Sequence, residues 1–111
     1  MPIQKTGLYI ISAPGTYTGI HVTNGNIEIR ANDVTLTDFA ITNTGGYQGT
    51  GNLLRVYPGF ARHVISYGTL SNDNGYGWGL YPVKDTYAHH LDISGTGDGI
   101  QVGINGRYEY M

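Results

Sequence analysis

The sequence predicts an all-β chain, a short parallel β-helix of about four coils, and three observations lead there. First, one short pattern recurs four times: a branched apolar residue, then Ser or Thr, then a turn. It reads Ile11-Ser12-Ala13-Pro14, Ile41-Thr42-Asn43-Thr44, Leu70-Ser71-Asn72-Asp73 and Ile93-Ser94-Gly95-Thr96, in steps of 30, 29 and 23 residues. Periods of this size mark stacked structural units, each burying its apolar side against the next. Second, 18 glycines and 10 tyrosines with abundant Thr and Asn favour strands and turns over helices. Third, Asn24-Gly25, Asn74-Gly75 and Asn105-Gly106 do not sit between mirrored strands, as hairpins would require.

Element by element, a second echo follows each turn and ends in valine: Gly19-Ile20-His21-Val22, Leu53-Leu54-Arg55-Val56, Gly79-Leu80-Tyr81-Pro82-Val83 and Gly99-Ile100-Gln101-Val102. Ile27-Glu28-Ile29-Arg30 and Val34-Thr35-Leu36-Thr37 alternate with period two. The apolar members face a core, and Glu28, Arg30, Thr35 and Thr37 face water. Ala31-Asn32-Asp33 is the turn between them. Phe39-Ala40-Ile41 continues inward, and His63-Val64-Ile65-Ser66 and His90-Leu91-Asp92-Ile93 take comparable places in later repeats.

The length of 111 residues is that of a single domain, 1–111. Charged residues are 13% with a net charge of −2, which excludes the basic footprint of a nucleic-acid binder and gives no reason to expect binding to an anionic membrane. The absence of cysteine excludes disulfides and thiolate metal sites. Met1-Pro2-Ile3-Gln4-Lys5 lacks the pattern of a signal peptide, and no apolar run is long enough to span a membrane. Synthesis in the cytoplasm is therefore expected.

The run Gly19-Ile20-His21-Val22, Asn26-Ile27-Glu28-Ile29, Asn32-Asp33-Val34-Thr35-Leu36 and Ile41-Thr42-Asn43 resembles the coil repeat of the pectate-lyase-like superfamily. Gly97-Asp98-Gly99-Ile100-Gln101-Val102 resembles the opening of another such coil, and the likeness covers roughly residues 7 to 110. It implies a right-handed parallel β-helix, a fold that carries lyases, hydrolases, epimerases and virion fibres. Enzymes of that family use clustered acidic calcium ligands with a basic residue, or three nearby aspartates with a His and an Arg-x-Lys. This sequence carries neither set.

The Gly-rich loops after each Ser/Thr turn are the candidate binding surface. Stacking in register would project them from one corner and place Tyr47, Tyr76 and Trp78 on a common wall with Asp98. Aromatic faces beside amides and hydroxyls suit a protein partner or a sugar. The competing reading folds those rings back over the coil edge. The loops shorten along the chain. His89-His90 with Asp92 and Asp98 is the one cluster of catalytic appearance. Strand alternation would send one His inward and the other outward. If the chain were an enzyme, His90, Asp92 and Asp98 would be its acid–base residues. Structural histidines stacked on tyrosines are the favoured reading, because no nucleophile accompanies them. No metal site or cofactor is expected, and the arginines read as a solvated surface.

Arg107-Tyr108-Glu109-Tyr110-Met111 alternates like a strand and then stops, so the sequence is expected either to be part of a longer protein or to have its last coil covered by another subunit. The function expected from the sequence is a non-enzymatic structural protein of a virus particle, a phage head decoration or tail-associated protein. It would be a homo-oligomer, with a trimer as first guess, or bind other virion proteins. The alternative is a carbohydrate-active enzyme, a fragment of one, or a sugar-binding module acting on polysaccharide.

Overall fold

A computed structural model describes residues 3–44, 52–57, 59–73, 78–81, 86–95, 98–100 and 107–109. Nine strands run in the order β1 (Ile3–Ile11), β2 (Gly15–Ile29), β3 (Val34–Asn43), β4 (Asn52–Val56), β5 (His63–Asn72), β6 (Trp78–Tyr81), β7 (Thr86–Ser94), β8 (Asp98–Ile100) and β9 (Arg107–Glu109). All pairings among them are parallel and join the strands into one ladder. This is a parallel β-helix, as the repeat predicts. No helix among the described residues is long and apolar enough to cross a membrane.

The longer strands bend, and each bend separates two faces of the coil. Residues 15–18, 34–37, 63–66 and 86–89 stack with β9 as the first face. Residues 3–6, 20–23, 39–42, 68–71 and 91–94 stack as the second. Residues 8–11 and 26–29 stack with β4, β6 and β8 as the third. One column, Thr16–Thr35–Val64–Tyr87–Arg107, follows the coil through steps of 19, 29, 23 and 20 residues.

Those steps correct the frame of the sequence echo. Ile41, Leu70 and Ile93 do form one column, but the rung before them holds Val22, with Thr23 as the hydroxyl residue. Ile11 lies on the third face, paired with Ile29. Likewise Ile27 precedes Leu54 and Leu80 in their column, whereas Ile20 pairs with Phe39 on the second face. The first turn of the helix is shorter than the rest, so matching residue types at a 30-residue step joined two different faces. The first strand, β1, extends the ladder as a further rung on β2. His63 pairs onward with Thr86, not with His90.

Stacking like on like fills the interior. Val22–Ile41–Leu70, Ile27–Leu54–Leu80 and Leu36–Ile65–Ala88 are columns of almost fully buried side chains, one from each face. Burying each Leu or Ile contributes about 1.5–3 kcal/mol. One column breaks the rule of similar size. Phe39 sits between Ile20 and Gly68, and its ring occupies the space that a Cβ on Gly68 would need.

Left-handed residues make the corners. Between the first and second faces they are Gly19 (φ 72°), Asp38 (φ 52°), Tyr67 (φ 52°) and His90 (φ 53°), each skipped in the pairing register. Between the third and first faces, Asp33 (φ 57°) and Arg62 (φ 63°) turn the chain one rung apart. Arg62 Nε and Nη2 donate to the two Asp33 carboxylate oxygens at 2.5 and 3.0 Å. That paired hydrogen bond holds the Asp33 carboxyl below its ordinary range, with the nearby positive charge of Arg62 adding to it. Inside the same corner, His63 Nε2 donates to the Ala31 carbonyl at 2.7 Å.

Gly68→Ala is expected to destabilise the chain by about 1–3 kcal/mol in urea unfolding, with Phe39→Leu in the same chain recovering part of the loss. A depressed carboxyl contributes stability above its unfolded-state value, and that contribution vanishes as pH falls through the folded-state value. Asp33→Asn is therefore expected to be less stable than the parent at neutral pH. The difference should close once pH falls below the ordinary aspartate range; a gap independent of pH would exclude this role.

Candidate functional site

The second corner, between the second and third faces, carries the connections that the sequence marks as binding loops. In the first coil, left-handed Asn24 (φ 50°) alone makes the turn. Later coils insert residues 44–51, 73–77 and 95–97 at the same place, since Asn43 pairs with Asn72 while Asn52, Trp78 and Asp98 follow in one column. The loops do leave from one corner and shorten along the stack. Asparagine side chains hold it closed. Asn43 Oδ1 accepts from Gly25 N–H at 2.9 Å and Asn24 Oδ1 from Thr44 N–H at 2.8 Å, while Asn72 Oδ1 accepts from Asp73 N–H at 2.8 Å.

Tyr47 and Tyr76 lie outside the described residues. Trp78 and Asp98 open β6 and β8 and are register partners, so their backbones stand one rung apart, about 4.8 Å. Asp92 is exposed on the second face, beside Thr69. His90 occupies the opposite corner of that face, so four residues of strand, about 13 Å, separate it from the loop corner. The structure does not bring His90 to Trp78 and Asp98. Nor does it put Asp92 and Asp98 on one face.

What surrounds His90 is a ring cluster. The Tyr67 ring stacks on His90 with centroids 4.7 Å apart and 15° between planes, and meets His89 edge-on at 5.5 Å. Tyr87 covers His89 from the first face, with centroids at 4.7 Å. The stacking of histidines on tyrosines expected from the sequence is present. Their directions are not those expected, because His89 is half-buried, His90 is exposed, and their Nδ1 atoms lie 2.8 Å apart. The left-handed backbone at His90 interrupts the alternation that would have separated them. Tyr67 and His90 are also two non-glycine residues in a conformation that costs about 1–2 kcal/mol. The signal was readable: Thr18-Gly19-Ile20, Thr37-Asp38-Phe39, Ser66-Tyr67-Gly68 and His89-His90-Leu91 repeat once the first coil is given its 19-residue length.

A third group corrects the reading of the arginines as a solvated surface. Glu28 points away from the core yet is only 3% exposed. Arg30 covers it, donating from Nε and Nη2 to Oε1 at 3.1 and 2.5 Å. The guanidinium groups of Arg30 and Arg55 lie 4.2 and 4.6 Å from the Tyr57 ring centroid. This cation–aromatic layer tiles the outside of the third face and is structural. Among the described residues no three His, Asp or Glu side chains converge as a metal centre would require. Comparison with protein-family models, curated proteins and solved structures gives no match.

Asn43→Ala removes the acceptor of a buried backbone N–H, and is expected to cost about 1–3 kcal/mol. Hydrogen exchange should show the loss concentrated at Gly25. Unchanged protection there would contradict the anchoring role.

Proposed function

We propose that this chain is a structural assembly module of a virus particle, a homo-oligomer or a partner of other virion proteins, and not an enzyme. The supporting observation is β1. It pairs with β2 along one edge, and among the described residues no strand lies on its other edge. Leu8 and Ile10, on the outward side of that strand, are 49% and 41% exposed. An open parallel edge offers a row of backbone donors and acceptors to an added strand, and the two apolar side chains beside it supply burial. The resemblance of the coil repeat to virion β-helices directs the proposal to a phage head decoration or tail-associated protein, with a trimer as the first arrangement to test.

A second reading is favoured by one observation. The backbones of Trp78 and Asp98 share a register position where the chain rejoins the third face, which brings onto adjacent rungs the two residue types, aromatic and carboxylate, that sugar sites use. On this reading the chain is a carbohydrate-active or sugar-binding protein.

Light scattering coupled to size exclusion separates the two. The assembly proposal expects an oligomer that Leu8→Lys with Ile10→Lys reduces to a folded monomer. A monomeric parent chain that turns over a polysaccharide, with turnover abolished by Asp98→Ala, would overturn it in favour of the second reading.

A further inference from the structure

We propose that His89 and His90 form a two-nitrogen clip for a tetragonal divalent transition metal, copper(II) above nickel(II), at the corner between the first and second faces. Adjacent residues in an extended strand point to opposite sides, so neighbouring histidines ordinarily cannot converge. Here the backbone at His90 turns left-handed, with φ 53°, and brings the two Nδ1 atoms within 2.8 Å. A strained conformation kept at an exposed site is a reason to ask what it positions. It positions two imidazole nitrogens, among the commonest metal ligands in proteins.

The distance selects the geometry. Metal–imidazole bonds of about 2.0–2.1 Å that span 2.8 Å subtend roughly 84–89° at the ion. That is the cis angle of a square-planar or tetragonal site. A tetrahedral zinc site would need its nitrogens about 3.3 Å apart. Tetragonal nitrogen and oxygen sites select copper(II) or nickel(II), and copper(II) stands highest in the affinity order. The absence of cysteine leaves no thiolate to compete.

Neighbouring rings pack on both histidines. Tyr67 stacks on His90, Tyr87 lies against His89 tilted by 33°, and the two histidines meet edge-to-face at 83°. In the metal-free pair, one Nδ1–H donates to the other Nδ1. Binding moves that proton to Nε2 of the same ring, a rotation of the rings turns the two Nδ1 lone pairs from each other toward one ion, and both go to the metal. Exposure of His90 leaves the remaining positions to water, and β9 sets the backbone of Glu109 one rung from His89. Two protein ligands are sufficient for a site of this kind, with water completing the coordination. The site is independent of the assembly role.

Titration of the full chain with copper(II) chloride, followed by electron paramagnetic resonance, should give about one tight equivalent with an axial spectrum and coupling to two imidazole nitrogens. Nickel(II) should bind more weakly and zinc(II) more weakly still. His89→Gln and His90→Asn (Asn tolerates the left-handed backbone) should each weaken binding roughly tenfold or more, whereas His21→Gln leaves it unchanged. A second measurement needs no variant: sub-stoichiometric copper(II) should broaden the ring resonances of His89, His90, Tyr67 and Tyr87 in the parent chain first. Unchanged affinity in either pair variant, or broadening centred on His21, would overturn the proposal.

Discussion

The parallel ladder hydrogen bond, repeated in register from rung to rung, is the constraint on which everything else in this molecule depends. It places each residue directly over its counterpart one coil earlier, so no side chain chooses its neighbours independently. Val22, Ile41 and Leu70 are buried because the column is apolar throughout. The same constraint forces compensation where sizes differ, as when the Phe39 ring lies over Gly68. Buried Asn43 and Asn72 recur at one level, where the Oδ1 of each accepts a backbone N–H as the chain leaves the second face.

The corners carry what the faces cannot. A face repeats, and at its end the second face turns outward a column of small polar residues, Thr23, Thr42, Ser71 and Ser94. A corner needs one residue off the ladder, and that residue is free of the packing column. The first corner uses Gly19 and Asp38, which accept positive φ at modest cost, then Tyr67 and His90, which do not. At this corner the strain therefore falls on the two rungs where four aromatic rings gather, and Arg62 carries the same conformation at the corner between the third and first faces. The second corner takes the opposite course and absorbs inserted loops without disturbing the ladder, because Asn43 and Asn72 anchor their starting points.

Assembly and metal binding draw on different parts of this design. β1 offers backbone valence and apolar side chains along an edge, a surface whose recognition depends on geometry along a whole strand. The His89–His90 pair offers two lone pairs at a point. Between them, the layer of Glu28, Arg30, Arg55 and Tyr57 closes the outside of the third face, with Arg30 paired to Glu28 and both guanidinium groups against the Tyr57 ring, leaving it structural.

The sequence by itself determined the class of fold, because period-two alternation in Ile27–Arg30 and Val34–Thr37 and a recurring Ser/Thr turn admit few arrangements other than stacked coils. It also determined that the loops leave from one corner. The frame of the first coil was not legible: a 19-residue turn gives no gap in residue type, and Ile11-Ser12 imitates the later copies closely enough to hide the shift. Nor was the burial of Glu28, which depends on Arg30 and on Tyr57 from the next coil. The direction of His90 was decided only by tertiary structure. Alternation along a strand is a local rule, and it holds until the ladder requires a corner. Where that corner falls is fixed by the rungs on either side, through Tyr67 and Asp38 in the same column, and not by the residues next to His90 in the chain.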